Sequence, residues 1–340
     1  MESWVNCNKE NIIISSRVRL ARNLKEFQFP SRLTREEGIE AGNKIKEAFG
    51  ESSSENNKYT TYNLWEMSKN TAKSFMEKHL ISPNLLKNNE SASFIIDNNE
   101  TISLMINEED HIRLQCISGG YNIREAYKKA DTIDSLLESK LDFAFNEKLG
   151  YLTACPTNLG TAMRASVMIH LPALTLNNEI NKLLKGLSQV GMTLRGLYGE
   201  GSKGEGNIYQ ISNQVTLGIA EEDILNNLEA VTLQVISQER QLRKIYTEQY
   251  KYELEDKVFR ARALLESARI LPLNESLSLL SNLRLGVELG IIGDISINKI
   301  NKILIYSQNA TLQEHLGVSM KERELNIERA AIIKKILLEP

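Results

Sequence analysis

Four short stretches carry the side chains that could do chemistry. Asn107-Glu108-Glu109-Asp110-His111-Ile112-Arg113 sets three acids beside a histidine and an arginine. Cys155-Pro156-Thr157-Asn158-Leu159-Gly160-Thr161, followed by Arg164, offers a thiol in a proline- and glycine-bounded loop. Arg195-Gly196-Leu197-Tyr198-Gly199-Glu200 runs from an arginine to an acid, and Ser15-Ser16-Arg17-Val18-Arg19-Leu20 spaces two arginines two apart. In an extended chain Arg17 and Arg19 point the same way, because side chains alternate along a strand. Planar guanidinium forks match phosphate oxygens in pairs. A substrate guanidinium, protonated below about pH 12.5–13.8, is a poor nucleophile until carboxylates orient it and take a proton. Arg17, Arg19, Arg113, Arg164 and Arg195 with acids of these stretches and Cys155 form an inventory that suits a polyphosphate and a guanidinium meeting in one pocket. The plainer readings are a solvated acidic turn, surface arginines and a core-filling cysteine.

Rival motifs fail on context. Gly199-Glu200-Gly201-Ser202-Lys203-Gly204 fits the spacing of a dinucleotide loop, but a hairpin pattern follows where a helix should open, so a loop over the site is the expectation. No phosphate-binding loop ending in Gly-Lys-Ser/Thr and no His-Arg-Asp with Asp-Phe-Gly pair occurs, so arginines must do the phosphate cradling.

The 340 residues allow about two domains, and an apolar share of 41% allows a sizeable core. The net charge of −3 argues against a general nucleic-acid binder. No apolar run reaches the ~18 residues of a membrane span, and Met1-Glu2-Ser3-Trp4 lacks the start of a secretory leader. Cys7, Cys116 and Cys155 read as free thiols of a cytoplasmic protein.

Periodicity predicts helices over 34–49 with Thr34 as N-cap and Gly50 as stop, and over 68–80 and 122–144. It predicts a strand–turn–strand over 94–106, continuing at 114–117, and a strand over 152–154 delivering Cys155. A helix is expected after Gly160, closed by His170-Leu171-Pro172, then a helix from Ile180 to Gly191. A hairpin is expected over 208–217 and a helix over 221–236, after which the chain reads helix after helix. The fold class is α+β: a mainly antiparallel sheet flanked by helices over 1–238, then an all-α domain over 239–340.

The Asn-Glu-Glu-Asp-His, Cys-Pro-Thr-Asn-Leu-Gly-Thr and Arg-Gly-x-x-Gly-Glu stretches resemble those of the ATP:guanido phosphotransferases, the phosphagen kinases. The likeness is strongest over Ser15–Glu239, and its flavour is that of a bacterial branch acting on arginine side chains of proteins. The resemblance implies ATP and Mg2+ as cofactors. It implies a nucleotide site of Ser16, Arg17, Val18, Arg19, Leu20, Arg113, the run Arg164-Ala165-Ser166-Val167-Met168, and the run Arg195-Gly196-Leu197-Tyr198-Gly199-Glu200. His79 would lie against adenine; its other reading is an ordinary amphipathic-helix histidine. Glu109 and Glu200 would flank the guanidinium with Cys155 beside it as a third anion. No dedicated metal site is expected. The motif begins at residue 15, without the small helical domain that encloses a metabolite substrate in the phosphagen kinases proper, which favours a protein substrate.

The branch further implies tagging for Clp-type proteolysis, control of the CtsR heat-shock repressor, an activator of the McsA type and a homodimer, with no nucleic-acid or membrane partner. It carries an Arg-Asp-x-x-Arg-Ala phosphoarginine pocket. Here Leu325 and Asn326 replace the leading pair while Arg329 and Ala330 remain, so weak or absent phosphoarginine activation is expected. A small-guanidino kinase and a non-catalytic adaptor are the alternatives.

Overall fold

The computed structural model describes residues 12–52, 58–88, 90–196 and 204–339. The strands are β1 (Ile13–Arg22), β2 (Tyr59–Asn63), β3 (Ser93–Asp97), β4 (Ile102–Ile106), β5 (Ile112–Gly119), β6 (Phe145–Asn146), β7 (Gly150–Tyr151), β8 (Met163–His170), β9 (Met192–Gly196) and β10 (Ile208–Asn213). The helices of the first two thirds are α1 (Arg35–Ser52), α2 (Lys69–Glu77), α3 (Ile123–Glu138), α4 (Pro172–Leu176), α5 (Ile180–Gln189) and α6 (Glu221–Gln249). Then come α7 (Lys251–Ser267), α8 (Leu273–Glu288), α9 (Ile297–Tyr306), α10 (Asn309–Leu316) and α11 (Glu322–Leu338).

Eight strands form one sheet in the order β2-β3-β4-β5-β1-β8-β10-β9, and each pairing is antiparallel. The α+β expectation holds. β1 lies at the centre, with Arg19 opposite Gln115 of β5 and Arg164 of β8. Alternation then divides the sheet into two faces. Val18, Leu20, Leu114, Cys116, Ala165, Val167 and Ile211 join the main core, with Ile45 of α1, Ala126 and Leu137 of α3, and Leu228 of α6. The other face carries the arginines. One end of it is covered where Ile14, Ile117, Met168 and Ile208 pack on Leu277 of α8 and Leu304 and Ile305 of α9. Helices α7, α8, α9 and α11 enclose a second core around Val258, Leu265, Leu283, Ile303 and Ile333.

Several sequence expectations are corrected. Arg164 sits on strand β8, not on a helix after Gly160: Met163, Ala165, Val167 and Ile169 alternate with Arg164, Ser166 and Met168, and pairing with β1 and β10 uses that period of two. Pro172 opens α4, where its missing N–H costs nothing. β10 pairs with β8 and β9, not with residues 215–217. That segment is an anchor instead, as the Asn213 amide donates to the carbonyls of Met163 and Val215 and Thr216 O receives the Thr161 N–H at 3.0 Å. The delivering strand is β7, and residues 152–154 are irregular. α1 passes Gly50 to Ser52, α3 stops at Glu138 and α6 continues to Gln249, across residue 238.

Arg22, on β1 but facing away from Arg17 and Arg19, is 1% exposed and bonds Asp134 of α3 at 2.6 Å. Its guanidinium also lies 3.5 Å from the Tyr151 ring centroid. Removing one partner of a buried pair strands the other charge. Asp134→Ala is therefore expected to lower unfolding free energy by about 3 kcal/mol, read as a lower urea midpoint with unchanged slope.

Candidate functional site

The strand register gathers the cations. Arg17 stands opposite Ser166, Arg19 opposite Arg164, Ala21 opposite Arg113, and Arg195 opposite Gln210, which follows Met168 and Ser15 across the sheet. A cleft of about 280 Å³ is lined by Arg19, Arg113, Arg164 and Arg195, with Glu109 and Cys155 among its other walls. Beside it a smaller recess is lined by Arg17, His79, Ser166, Met168 and Gln210.

Like charges directly opposite on a sheet repel. Arg17 has only neutral hydrogen-bond partners among the described residues: it donates to Gln210 at 2.8 Å and Gln115 at 3.4 Å. Burial, then the Arg113 charge, pulls its pKa down to about 10. Burial and the charges of Arg17, Arg113, Arg164 and Arg195 push Arg19 well below its ordinary value. Arg19 Nε is buried with no hydrogen-bond partner among the described residues. Arg164 donates to Asn158 at 3.5 Å and to the Asn213 carbonyl at 3.1 Å. A guanidinium such as that of Arg17, bonded to side-chain amides and set among other arginines, offers its charge to a polyanion.

The acids of the 107–113 turn divide their work. Asn107 adopts a left-handed φ of 57°, and its buried amide donates to Gly38 O at 2.7 Å and Ser91 O at 3.1 Å. Glu108 is buried, pairs with Arg113 at 2.5 Å and accepts from Ser82 Oγ. Burial opposes its ionisation, but Arg113 and these hydrogen bonds hold its pKa below the usual value. Asp110 accepts from Asn23 at 2.6 Å and from the Ala154 N–H at 2.7 Å, tying the turn to the residue before Cys155. His111 is buried and accepts from the Leu24 N–H at 3.2 Å. Glu109 lines the cleft beside Asp110. Its carboxylate accepts no hydrogen bond among the described residues, and burial, followed by Asp110 and Glu108, raises its pKa. Such a carboxylate can orient a cation or take a proton.

Cys155 is partly exposed, with Sγ 3.1 Å from Thr157 Oγ1. Its loop is fixed by Gly160 at φ +100°, where a Cβ would stand 2.1 Å from Thr216 O. Thr216 Oγ1 donates to the carbonyls of Thr157 at 3.1 Å and Leu159 at 2.7 Å.

Other residues from the expected site fall elsewhere. Ser16 and Val18 face the back of the sheet: Ser16 Oγ donates to Gly120 O at 2.8 Å, and Val18, Ala165 and Val167 are in the core. Leu20 is also in that core while bordering the cleft. Gly196 ends β9, and Leu197, Tyr198, Gly199 and Glu200 lie outside the described residues, as does most of the glycine-rich loop. On α11, Arg329 is 1% exposed and donates to Ser307 O at 2.7 Å, Leu271 O at 2.9 Å, Asn326 at 2.6 Å and Asn309. Leu325 and Ala330 are buried beside it. Gln115, Gln210, Asn84 and Asn213 were not expected at the site, whereas Asn158 lies in the Cys155–Thr161 stretch. The period-two alternation of Arg113-Leu114-Gln115 could have found Gln115; nothing local marks the others.

A cation-lined cleft on one face of a wide antiparallel sheet, with a carboxylate and a thiol in its wall, is the site of a phosphotransferase for guanidino compounds. The ATP:guanido phosphotransferase C-terminal catalytic domain matches residues 40–242, and the C-terminal domain of protein-arginine kinase McsB matches residues 251–339. The chain is 52% identical over 340 residues to a protein-arginine kinase of Clostridium kluyveri, spanning 99% of both. It is 42% identical to a protein-arginine kinase of Bacillus subtilis, over 99% of this chain and 93% of that one. Among solved structures, a lombricine kinase aligns with a TM-score of 0.60 at 26% identity, over 70% of this chain and 69% of that one. The duplicated taurocyamine kinase of Schistosoma mansoni, with bound transition-state analog components, gives 0.62 at 28% identity, over 78% and 38%. The chain belongs to the ATP:guanido phosphotransferase family and is an ATP-using kinase.

A cluster of like-charged arginines should be stabilised by a polyanion. Inorganic tripolyphosphate is expected to raise the thermal midpoint, with about 2.7 kcal/mol gained at a hundred times its Kd. Arg19→Ala should remove most of that gain; an equal rise in the variant would show that the anion binds elsewhere.

Proposed function

We propose that this chain transfers the γ-phosphoryl group of MgATP to arginine side chains of proteins. The observation that carries it is Glu109, a carboxylate without a hydrogen-bond donor among the described residues, facing Arg19, Arg113, Arg164 and Arg195 across one cleft. Relatives named protein-arginine kinase, alike from end to end, support the choice of protein as substrate. Arg17, Arg19, Arg113, Arg164 and Arg195 hold the triphosphate, and His79 lies at the base. Magnesium is carried on phosphate oxygens and water, its usual habit.

Glu109 and Glu200 orient the substrate guanidinium by paired hydrogen bonds, and a carboxylate accepts its proton as the N–P bond forms and the bond to the ADP oxygen breaks. Cys155 lies beside the guanidinium and adds electrostatic support without carrying phosphate. Orientation of this kind is worth roughly 7 kcal/mol in favourable intramolecular models. The transition state is loose, with charge on equatorial oxygens that Arg113, Arg164 and Arg195 meet as preorganised donors. The two-part division near residue 238, with a helical substrate and regulatory domain, belongs to this reading. So do a cytoplasmic location, magnesium dependence, an activator of the McsA type, control of the CtsR repressor, delivery to a Clp ATPase and a homodimer; these rest on family resemblance.

The test is incubation with MgATP and an arginine-rich unfolded protein, followed by phosphorus NMR. An acid-labile phosphoarginine signal is expected, lost in Glu109→Gln and Glu200→Ala. Turnover of free arginine alone would move the chain to the small-metabolite kinases; silence on both, with the activator present, would leave an adaptor. Because the raised Glu109 carboxyl must be ionised to act, activity should fall as pH drops through a point above the ordinary carboxylate range. A pH profile whose acid limb sits at or below the ordinary value would remove Glu109 as the base. Free phosphoarginine should leave the rate unchanged, since Arg329 already donates to Asn326, Asn309 and two carbonyls; stimulation abolished by Arg329→Ala would overturn that.

A further inference from the structure

The geometry points to Glu77 as a positioning residue through which the C-terminal helices set the nucleotide half of the site. The inference rests on the proposed placement of ATP beside Arg17 and His79.

Glu77 is the last residue of α2, and its carboxylate docks on the first turn of α10. The Ala310 N–H donates to Oε1 at 2.9 Å, and the Thr311 N–H and Oγ1 donate to Oε2 at 2.7 and 2.9 Å. A carboxylate at a helix N-terminus satisfies orphan donors and meets the positive end of the dipole. The contact is 233 residues long in sequence and joins the catalytic sheet's flank to the helical unit. Weaker bonds run along the same seam: Thr71 Oγ1 to Glu314 at 3.1 Å, and Asn70 to Ala310 O at 3.4 Å. The start of α10 is itself held from behind, because Arg329 of α11 donates to Ser307 O at 2.7 Å and to the Asn309 side chain.

From Glu77 a short rigid path leads into the site. α2 ends with His79 N–H to Met76 O at 2.9 Å and Leu80 N–H to Phe75 O at 3.0 Å, the bonding pattern of a Schellman close. That close calls for a left-handed residue after the helix, normally glycine. Here it is His79, at φ 60°. A side chain in that conformation costs on the order of 1 kcal/mol and persists only when its surroundings over-determine it. Two anchors do so. On one side Glu77 is clamped to α10; on the other, Gln115 Nε2 donates to His79 O at 2.8 Å and Leu80 O at 3.3 Å. The same Gln115 accepts from Arg17 at 3.4 Å, and Arg17 and His79 share one recess. A shift of α10 is thus transmitted through Glu77 to the His79 backbone, and through Gln115 to the Arg17 guanidinium. No hydrogen bond among the described residues joins Glu77, Gln115 or Arg17 to Glu109 or Cys155, so the effect should fall on ATP binding and not on the acceptor half.

The test measures ATP and protein-substrate kinetics in the full chain carrying Glu77→Ala, Glu77→Gln or Thr311→Val. Glu77→Ala should raise the KM for ATP about five- to tenfold, the range of a typical coupling between sites. Its kcat and its KM for the protein substrate should stay within about twofold. Glu77→Gln keeps an acceptor oxygen and should restore part of the loss. Thr311→Val removes one of the three bonds from the opposite side without touching α2; it should raise the ATP KM by a smaller factor and add nothing to Glu77→Ala in the double variant. If Glu77→Ala does not fold, the Thr311→Val shift alone decides. An unchanged ATP KM in folded variants, or an equal loss in kcat and both KM values, would overturn the inference while leaving the kinase reading intact. Failure of the wild-type chain to bind ATP would instead overturn the reading beneath it.

Discussion

The structure depends on a repulsion. Period-two alternation along β1, β5, β8 and β9 puts apolar side chains into the main core and leaves arginines on the opposite face, with Arg19 directly across from Arg164. Burial and mutual charge lower the pKa of both Arg17 and Arg19. A fold selected for stability alone would interleave carboxylates there. The packing on the back of the sheet offsets this unfavourable field, which an arriving polyphosphate reverses. The free energy lost in assembling the site is regained as affinity for one charge type.

Against that background the acidic turn is a separation device. Three consecutive acids beside an arginine cluster would collapse into ion pairs if all were free to do so. Glu108 is taken up by Arg113 and Ser82, and Asp110 by Asn23 and the Ala154 N–H. Glu109 is left facing the cleft with no donor to its carboxylate among the described residues, its ionisation disfavoured by burial and by its two neighbours. The Ala154 N–H that bonds Asp110 also ties the acidic turn to the loop carrying Cys155.

The C-terminal helices grip this sheet through buried ion pairs as well as apolar contact. Glu288 of α8 accepts from Arg243 of α6 and Arg284 at 2.7 Å each and lies 3.3 Å from His170 at the end of β8. Burial works against its charge, yet Arg284, His170 and Arg243 hold its pKa near about 2. Glu239 of α6 accepts the first free N–H groups of α4 at 3.0 and 2.9 Å. α6 is therefore a beam shared by both parts, with one end under the sheet and the other among the helices. α6 runs unbroken from Glu221 to Gln249.

By itself the sequence determined the chemistry available and the class of fold. The family resemblance of its motifs pointed to the five arginines, Glu109 and Cys155, and alternation at Arg17 and Arg19 was readable because strand geometry is local. Thr34 was readable as a cap for the same reason, and its N–H and Oγ1 both bond Glu37. What only the tertiary structure decided depends on partners distant in sequence. Arg164 lies on a strand because β1 and β10 flank it, although its own residues also suit a helix. Residues 215–217 are an anchor because Thr161 and Asn213 bind them. Glu108, Glu109 and Asp110 are equivalent as letters and diverge only when Arg113, Asn23 and Ala154 choose among them. No glycine marks the left-handed His79, since the strain there is sustained by Gln115 and α10, elements that no local pattern connects.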